Sequence, residues 1–220
     1  MIEVKNVSLI INKYKILANV SLEIKEGEAV GLVGANGSGK TMLMKCICGF
    51  NTMFTGEIKV NGKRIGKDME FPEKTGIIIE TPGFIPYMSG YENLKLLSGS
   101  GSKISKEQIY YYMNLAGLDP ENKKNVKKYS LGMRQRLGLA QALMEDPDIL
   151  ILDEPFNGID KKMLLKMRDI FVGEKSKGKT ILMASHNEKD IEYICDRKYE
   201  IDEGAIVPSS GDCSKSMQHS

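Results

Sequence analysis

Soft-metal chemistry has little to work with in this chain of 220 residues, which contains four cysteines and two histidines. Cys46, Cys48, Cys195 and Cys213 do not form the paired C-x-x-C spacing of a zinc site. Cys46 and Cys48 fall in an apolar stretch and read as small core residues. Charge of one sign is lacking as well. Thirty-one basic against 29 acidic residues leave +2, with the signs interspersed. That balance offers no broad face for DNA or RNA, and no nucleic-acid partner is expected. The densest basic stretch, Lys123, Lys124, Lys127 and Lys128, reads as a solvated linker. No apolar run approaches the roughly 18 residues of a membrane span, and Met1-Ile2-Glu3-Val4-Lys5 has none of a signal peptide's apolar character. The expectation is a soluble, cytosolic chain whose membrane role, if it has one, comes through a partner. With 41% hydrophobic and 27% charged residues the chain can bury a core, and its length is that of one large domain or one core with a compact insertion.

The hydrophobic pattern predicts an α/β fold. Ile2, Val4, Val7, Leu9 and Ile11, then Val20, Leu22 and Ile24, alternate with polar residues as an opening β hairpin. Ala29–Val33 is a short apolar run of the kind that forms a parallel strand buried on both faces. A helix follows from Lys40 to Cys48, ending near Gly49. Residues 57–60 with Asn61-Gly62 predict a second hairpin, and Gly76–Ile79 another buried strand. From Tyr91 to about Leu143 the pattern is helical, broken by Gly/Ser and Asp-Pro. Ile149–Leu152 and Thr180–Ala184 then read as strands flanking a helix over Lys161–Lys175, a βαβ unit. Residues 208–220 are small and polar, and are expected to be a disordered tail.

Gly34-Ala35-Asn36-Gly37-Ser38-Gly39-Lys40-Thr41 fits G-x-x-x-x-G-K-[ST], directly after a strand and directly before a helix. A random chain of this length would show it roughly once in a hundred, and the context lowers that further. The glycines let backbone N–H groups face an anion at the positive end of the helix. Lys40 then meets β and γ oxygens, and Thr41 has the reach for a Mg²⁺ that bridges them. Asp153 and Glu154 follow the apolar run 149–152, at the strand end where ligands sit in parallel sheets. Asp153 is placed to hold Mg²⁺ through water, and Glu154 to polarise the attacking water. Ser130 caps a second helix start. His186 follows the strand 180–184, where a γ-phosphate would lie; a lone histidine is usually structural, but here it fits a phosphate sensor.

Together these motifs resemble the ATP-binding cassette family, the nucleotide-binding subunits of membrane transporters, over residues 1 to about 207. Gly34–Thr41 matches the family's Walker A, Ser130-Leu131-Gly132-Met133 its signature, Asp153-Glu154 its Walker B pair, Asn157-Gly158-Ile159-Asp160 its D-loop and His186 its switch histidine. The resemblance implies a P-loop NTPase core with a mostly parallel sheet, an N-terminal antiparallel β subdomain and a helical subdomain at about 85–145. It implies Mg²⁺-dependent hydrolysis of ATP, with Lys40, Glu154 and His186 catalytic and Thr41 and Asp153 on the metal. The nucleotide would meet Gly34 through Met42, together with Glu80 and, from the facing chain of a head-to-tail dimer, Ser130, Gly132 and Asp160. The partners implied are an integral-membrane permease and a second cassette, identical or a close paralogue. The chain would then lie at the cytoplasmic face of the membrane.

Three departures stand out. The signature loses its first glycine and its glutamine. The usual place of the adenine-stacking aromatic holds Ile11, which leaves Tyr14 nearby as the candidate ring. Where the family places a glutamine after strand 76–79, this chain has Glu80. A carboxylate there faces phosphate anions and needs Mg²⁺ or a basic group of the partner to neutralise it. That segment, with Tyr91-Glu92-Asn93-Leu94 and Tyr129–Met133, resembles the branch that exports bacitracin or lantibiotic peptides. The competing reading is a cassette ATPase working without a membrane partner, in chromosome maintenance, translation or iron-sulfur assembly. Against it, only 90 residues separate Lys40 from Ser130 with no sustained heptads, and there is one cassette rather than two. A P-loop small-molecule kinase would leave Ser130, Asp160 and His186 without a role.

Overall fold

The structure is a computed structural model that describes residues 1–80, 82–98 and 104–207. The tail expected over 208–220 lies outside the described residues. β1 (Ile2–Ile11) and β2 (Tyr14–Ile24) form the opening antiparallel hairpin. β3 (Ala29–Val33) leads into α1 (Lys40–Ile47). β4 (Thr55–Val60), β5 (Lys63–Arg64) and β6 (Thr75–Ile78) follow, then α2 (Gly90–Leu97), α3 (Lys106–Leu115) and, after a 3₁₀ turn, α4 (Leu131–Leu143). β7 (Ile149–Asp153), α5 (Lys161–Ser176) and β8 (Thr180–Ala184) make the expected βαβ unit. The chain continues through α6 (Glu188–Ile194), β9 (Arg197–Asp202) and β10 (Ala205–Val207), three elements that the hydrophobic pattern did not reveal.

Two sheets result. The smaller is antiparallel, in the order β2-β1-β4-β5. The larger runs β10-β9-β3-β8-β7-β6, and from β9 to β6 its neighbours are parallel. All five residues of each of β3, β7 and β8 are buried, which is why these segments read as continuous apolar runs. Their alternate residues serve two cores. Val30, Leu32, Ile151, Leu182 and Ala184 pack with α1 and the antiparallel sheet. Ala29, Val33, Leu150, Leu152, Ile181 and Met183 pack with residues of α2 to α6, around Phe171 and Met167. Cys46 and Cys48 sit in the first core, and burial pushes both thiols up to about 12. They are inert packing groups. The carboxyl ends of β3, β6, β7 and β8 all open on one edge of the large sheet, and every sequence-predicted catalytic residue is at that edge.

Candidate functional site

The loop 34–39 joins β3 to α1 in a conformation that depends on glycine. Gly34 has φ of 150°, and a Cβ on it would lie 2.2 Å from the Ile201 carbonyl. The loop is braced by the β9–β10 turn, where the Gly204 N–H donates to the Ser38 carbonyl at 2.9 Å. The other five described α-helices begin with a side-chain cap, supplied by Ser89, Ser105, Ser130, Asp160 and Asn187. α1 begins at Gly39 with no side-chain cap and no acidic residue in its first turn. Its leading N–H groups therefore face the cavity with no side-chain acceptor, the arrangement that suits an anion. Lys40 is only 6% exposed, and its ammonium curls back to donate to the carbonyls of Gly34 at 2.7 Å and Ala35 at 2.8 Å.

Next to it, Thr41 Oγ1 donates to Asp153 Oδ2 at 2.6 Å, joining the start of α1 to the end of β7. The second Asp153 oxygen, Oδ1, is buried and has no hydrogen-bond partner. Such an atom is costly unless a cation or donor meets it, so this pair fits a divalent metal. Burial raises the Asp153 carboxyl above its ordinary range, opposed by the Thr41 hydrogen bond and assisted by the nearby Glu154 charge.

Glu154 stands at φ of 48°, and its backbone N–H donates to the Ala184 carbonyl at 2.9 Å. Its carboxylate is met twice by one residue: the His186 backbone N–H donates to Oε1 at 2.9 Å, and His186 Nδ1 lies 2.8 Å from Oε2. Gln135, buried on α4, donates from Nε2 to the Glu154 carbonyl at 3.2 Å.

A cavity of about 410 Å³ is lined by Ile16, Asn36, Gly37, Gly39, Lys40, Thr41, Met42, Lys45, Glu80, Asp153 and Glu154, with His186 outside this wall and reaching it through Glu154. A second, of about 290 Å³, shares Glu80, Asp153 and Glu154 and is closed by Leu131, Gln135 and Asn157. Ser38, within the loop, is buried. Tyr14 is 75% exposed at the start of β2 and is absent from the lining, where Ile16, two residues along the strand, takes the wall. Ser130, Gly132 and Asp160 also lie outside the first cavity's wall. Ser130 and Asp160 cap α4 and α5 through Met133 and Met163, and a Cβ on Gly132 would meet the Gly158 carbonyl at 2.4 Å. The signature segment and the D-loop thus touch within one chain.

Glu80, at φ of 58°, is paired with Lys45, whose Nζ lies 2.6 Å from Oε1. The neutralising charge comes from the chain's own α1, where the sequence predicts it from a metal or a partner. Lys45, Ile16 and Gln135 belong to no motif that points to the site. Lys45 could have been found, because it lies four residues after Thr41 and shares its helix face.

A model of the ABC transporter family matches residues 17–157. The chain belongs to the ATP-binding cassette family of transporters. An uncharacterised ABC transporter ATP-binding protein of Bacillus subtilis, YybJ, is 41% identical over 95% of this chain and 96% of its own length. The lantibiotic transport ATP-binding protein SrtF of Streptococcus pyogenes is 36% identical over 94% and 89%, and the bacitracin transport ATP-binding protein BcrA of Enterococcus faecalis 36% over 94% and 68%. A solved dimer of MJ0796, a bacterial ABC transporter cassette, superimposes with a TM-score of 0.82 at 25% identity, covering 94% of this chain and 96% of that one. This cassette is accordingly the ATP-binding subunit of such a transporter. Among its described residues no helix is long and apolar enough to cross a membrane.

Proposed function

We propose that this cassette hydrolyses Mg²⁺·ATP to drive export of a peptide antibiotic, of lantibiotic or bacitracin type, through a separate membrane permease. The observation that carries the hydrolytic part is the convergence at one sheet edge of an uncapped α1, Lys40, the Thr41–Asp153 pair and the Glu154–His186 pair. In this reading the α1 N-terminus and Lys40 bind the β- and γ-phosphates, and Glu154 accepts a proton from the attacking water. His186 orients Glu154 and meets the γ-phosphate. Thr41 and Asp153 would hold the Mg²⁺, which when bound supplies positive charge to the phosphate oxygens. Tyr14 would reach adenine only from outside the described wall. Ser130, Gly132 and Asp160 serve the nucleotide of a second cassette, which closes the site head to tail.

The export part is supported by likeness to SrtF and BcrA over 94% of this chain and by Glu80 where the wider family carries glutamine. Disruption of the gene, followed by growth against bacitracin and a panel of lantibiotics, tests it. Heightened sensitivity to one of them is expected. Normal sensitivity to all of them removes peptide export while leaving the ATPase assignment in place. Co-purification of a hydrophobic membrane protein with the tagged chain is expected. Its absence from detergent extracts of intact membranes would favour a cassette that acts without a permease.

A further inference from the structure

Asp190 is a buried carboxylate that the hydrolytic mechanism does not use. It lies on α6, is 3% exposed, and makes an ion pair with Arg168 of α5, which is itself nearly buried. Arg168 donates to Asp190 Oδ1 from both Nε, at 2.9 Å, and Nη2. The other oxygen, Oδ2, accepts from Ser185 Oγ at 3.2 Å. Ser185 Oγ in turn accepts from the Asn187 backbone N–H at 3.1 Å. Ser185 and Asn187 bracket His186, so the network fixes the loop on both sides of the imidazole while His186 itself stays exposed.

A buried ion pair contributes little to net stability when both partners could be replaced by apolar groups, because desolvation offsets the attraction. Its use here is orientation. The Ser185 hydroxyl has one proton, which goes to Asp190, and this turns its lone pair to the Asn187 N–H. With those bonds made, the His186 N–H and Nδ1 meet the two oxygens of Glu154. We propose that Asp190, set by Arg168 and acting through Ser185, is a positioning residue for hydrolysis, holding His186 against Glu154. This rests on the reading of Glu154 and His186 given above.

The test compares ATP turnover by the full chain with Asp190→Asn, Ser185→Ala, His186→Ala and Asp190→Asn/His186→Ala, each checked for folding by thermal melting. Asp190→Asn should lower kcat roughly tenfold with KM within about twofold, a fraction of what an acid–base group supplies. The double variant should be no worse than His186→Ala alone. Losses that multiply in the double variant, or a KM that rises as far as kcat falls, overturn the proposal. Ser185→Ala leaves the Arg168–Asp190 pair in place and guards against an Asp190 variant that does not fold. A second readout needs no activity. The chain has only His186 and His219, so His186→Ala assigns the two imidazole NMR signals. Ser185→Ala and Asp190→Asn should move the His186 signal and leave the other unmoved, and an unmoved His186 signal in both overturns the proposal. Undiminished turnover in His186→Ala would instead sink the underlying site reading.

Discussion

Replacing Glu154 by glutamine separates binding from chemistry. Both carboxylate oxygens are held by His186, at 2.9 Å from its backbone N–H and 2.8 Å from Nδ1. The amide has the same shape, keeps an oxygen for the backbone N–H and turns its NH₂ towards the imidazole nitrogen, so the loop keeps its place. Basicity is what disappears. A positioned general base contributes about 10²–10⁴ in rate, or about 2.7–5.4 kcal/mol at about 1.36 kcal/mol per tenfold. Nucleotide affinity should hold within about threefold, because the carboxylate makes no contact with Lys40 or Thr41 and the α1 N-terminus is untouched. Phosphate release gives kcat, a fluorescent nucleotide gives affinity, and gel filtration with ATP gives assembly. The expected result is tight binding, turnover reduced at least a hundredfold, and accumulation of an ATP-held dimer. A loss in kcat smaller than about tenfold, or an equal loss of affinity, would refute the assignment of Glu154 as base.

Lys40→Ala should abolish hydrolysis and weaken nucleotide binding, since among the described residues Lys40 alone donates a side-chain hydrogen bond to the Gly34 and Ala35 carbonyls; undiminished turnover contradicts the site. Lys45→Met should strip Glu80 of its counter-charge and weaken ATP binding about threefold at low salt, an effect that Glu80→Gln in the same chain removes. An equal deficit in the double variant would show that Lys45 acts otherwise. Burial raises the Asp153 carboxyl above 3.8, so the metal-free folded chain holds that proton more tightly than the unfolded one. The contribution to stability is then greatest below pH 3.8 and is lost as pH rises through the native value. Asp153→Asn, neutral throughout, should raise the melting temperature in EDTA more at pH 7 than at pH 4, and a gain that does not grow with pH contradicts this.

The parts of the fold legible in the sequence are those where one physical demand dominates. β3, β7 and β8 are buried on both faces and therefore announce themselves as apolar runs. The phosphate loop is legible because its backbone accepts only glycine at Gly34. β9 was invisible for the opposite reason. Of Arg197–Asp202 only Ile201 is fully buried, and Arg197 is anchored by Glu28 rather than by apolar packing. The site shows the same division. Residues fixed by local motif, Lys40, Thr41, Asp153 and Glu154, were found from spacing. Ile16 was missed because the β1–β2 hairpin carries register shifts between Val4 and Ile10, so counting along the chain does not say which side chain reaches the wall. Gln135 was missed because its partner is a backbone carbonyl, which no side-chain pattern encodes.

Ser130 lies exposed at the head of α4, outside the cavity that holds Lys40 of the same chain. On the reading proposed above, each chain carries two half-sites that serve different nucleotides. In a head-to-tail pair, a chain with Lys40→Ala and a chain with Ser130→Phe each form dead pairs with their own kind. Mixed, they place both defects in one site and leave the other whole. Two inactive proteins should thus revive one another to about a quarter of normal turnover at equal amounts, half of the pairs being mixed and each having one working site.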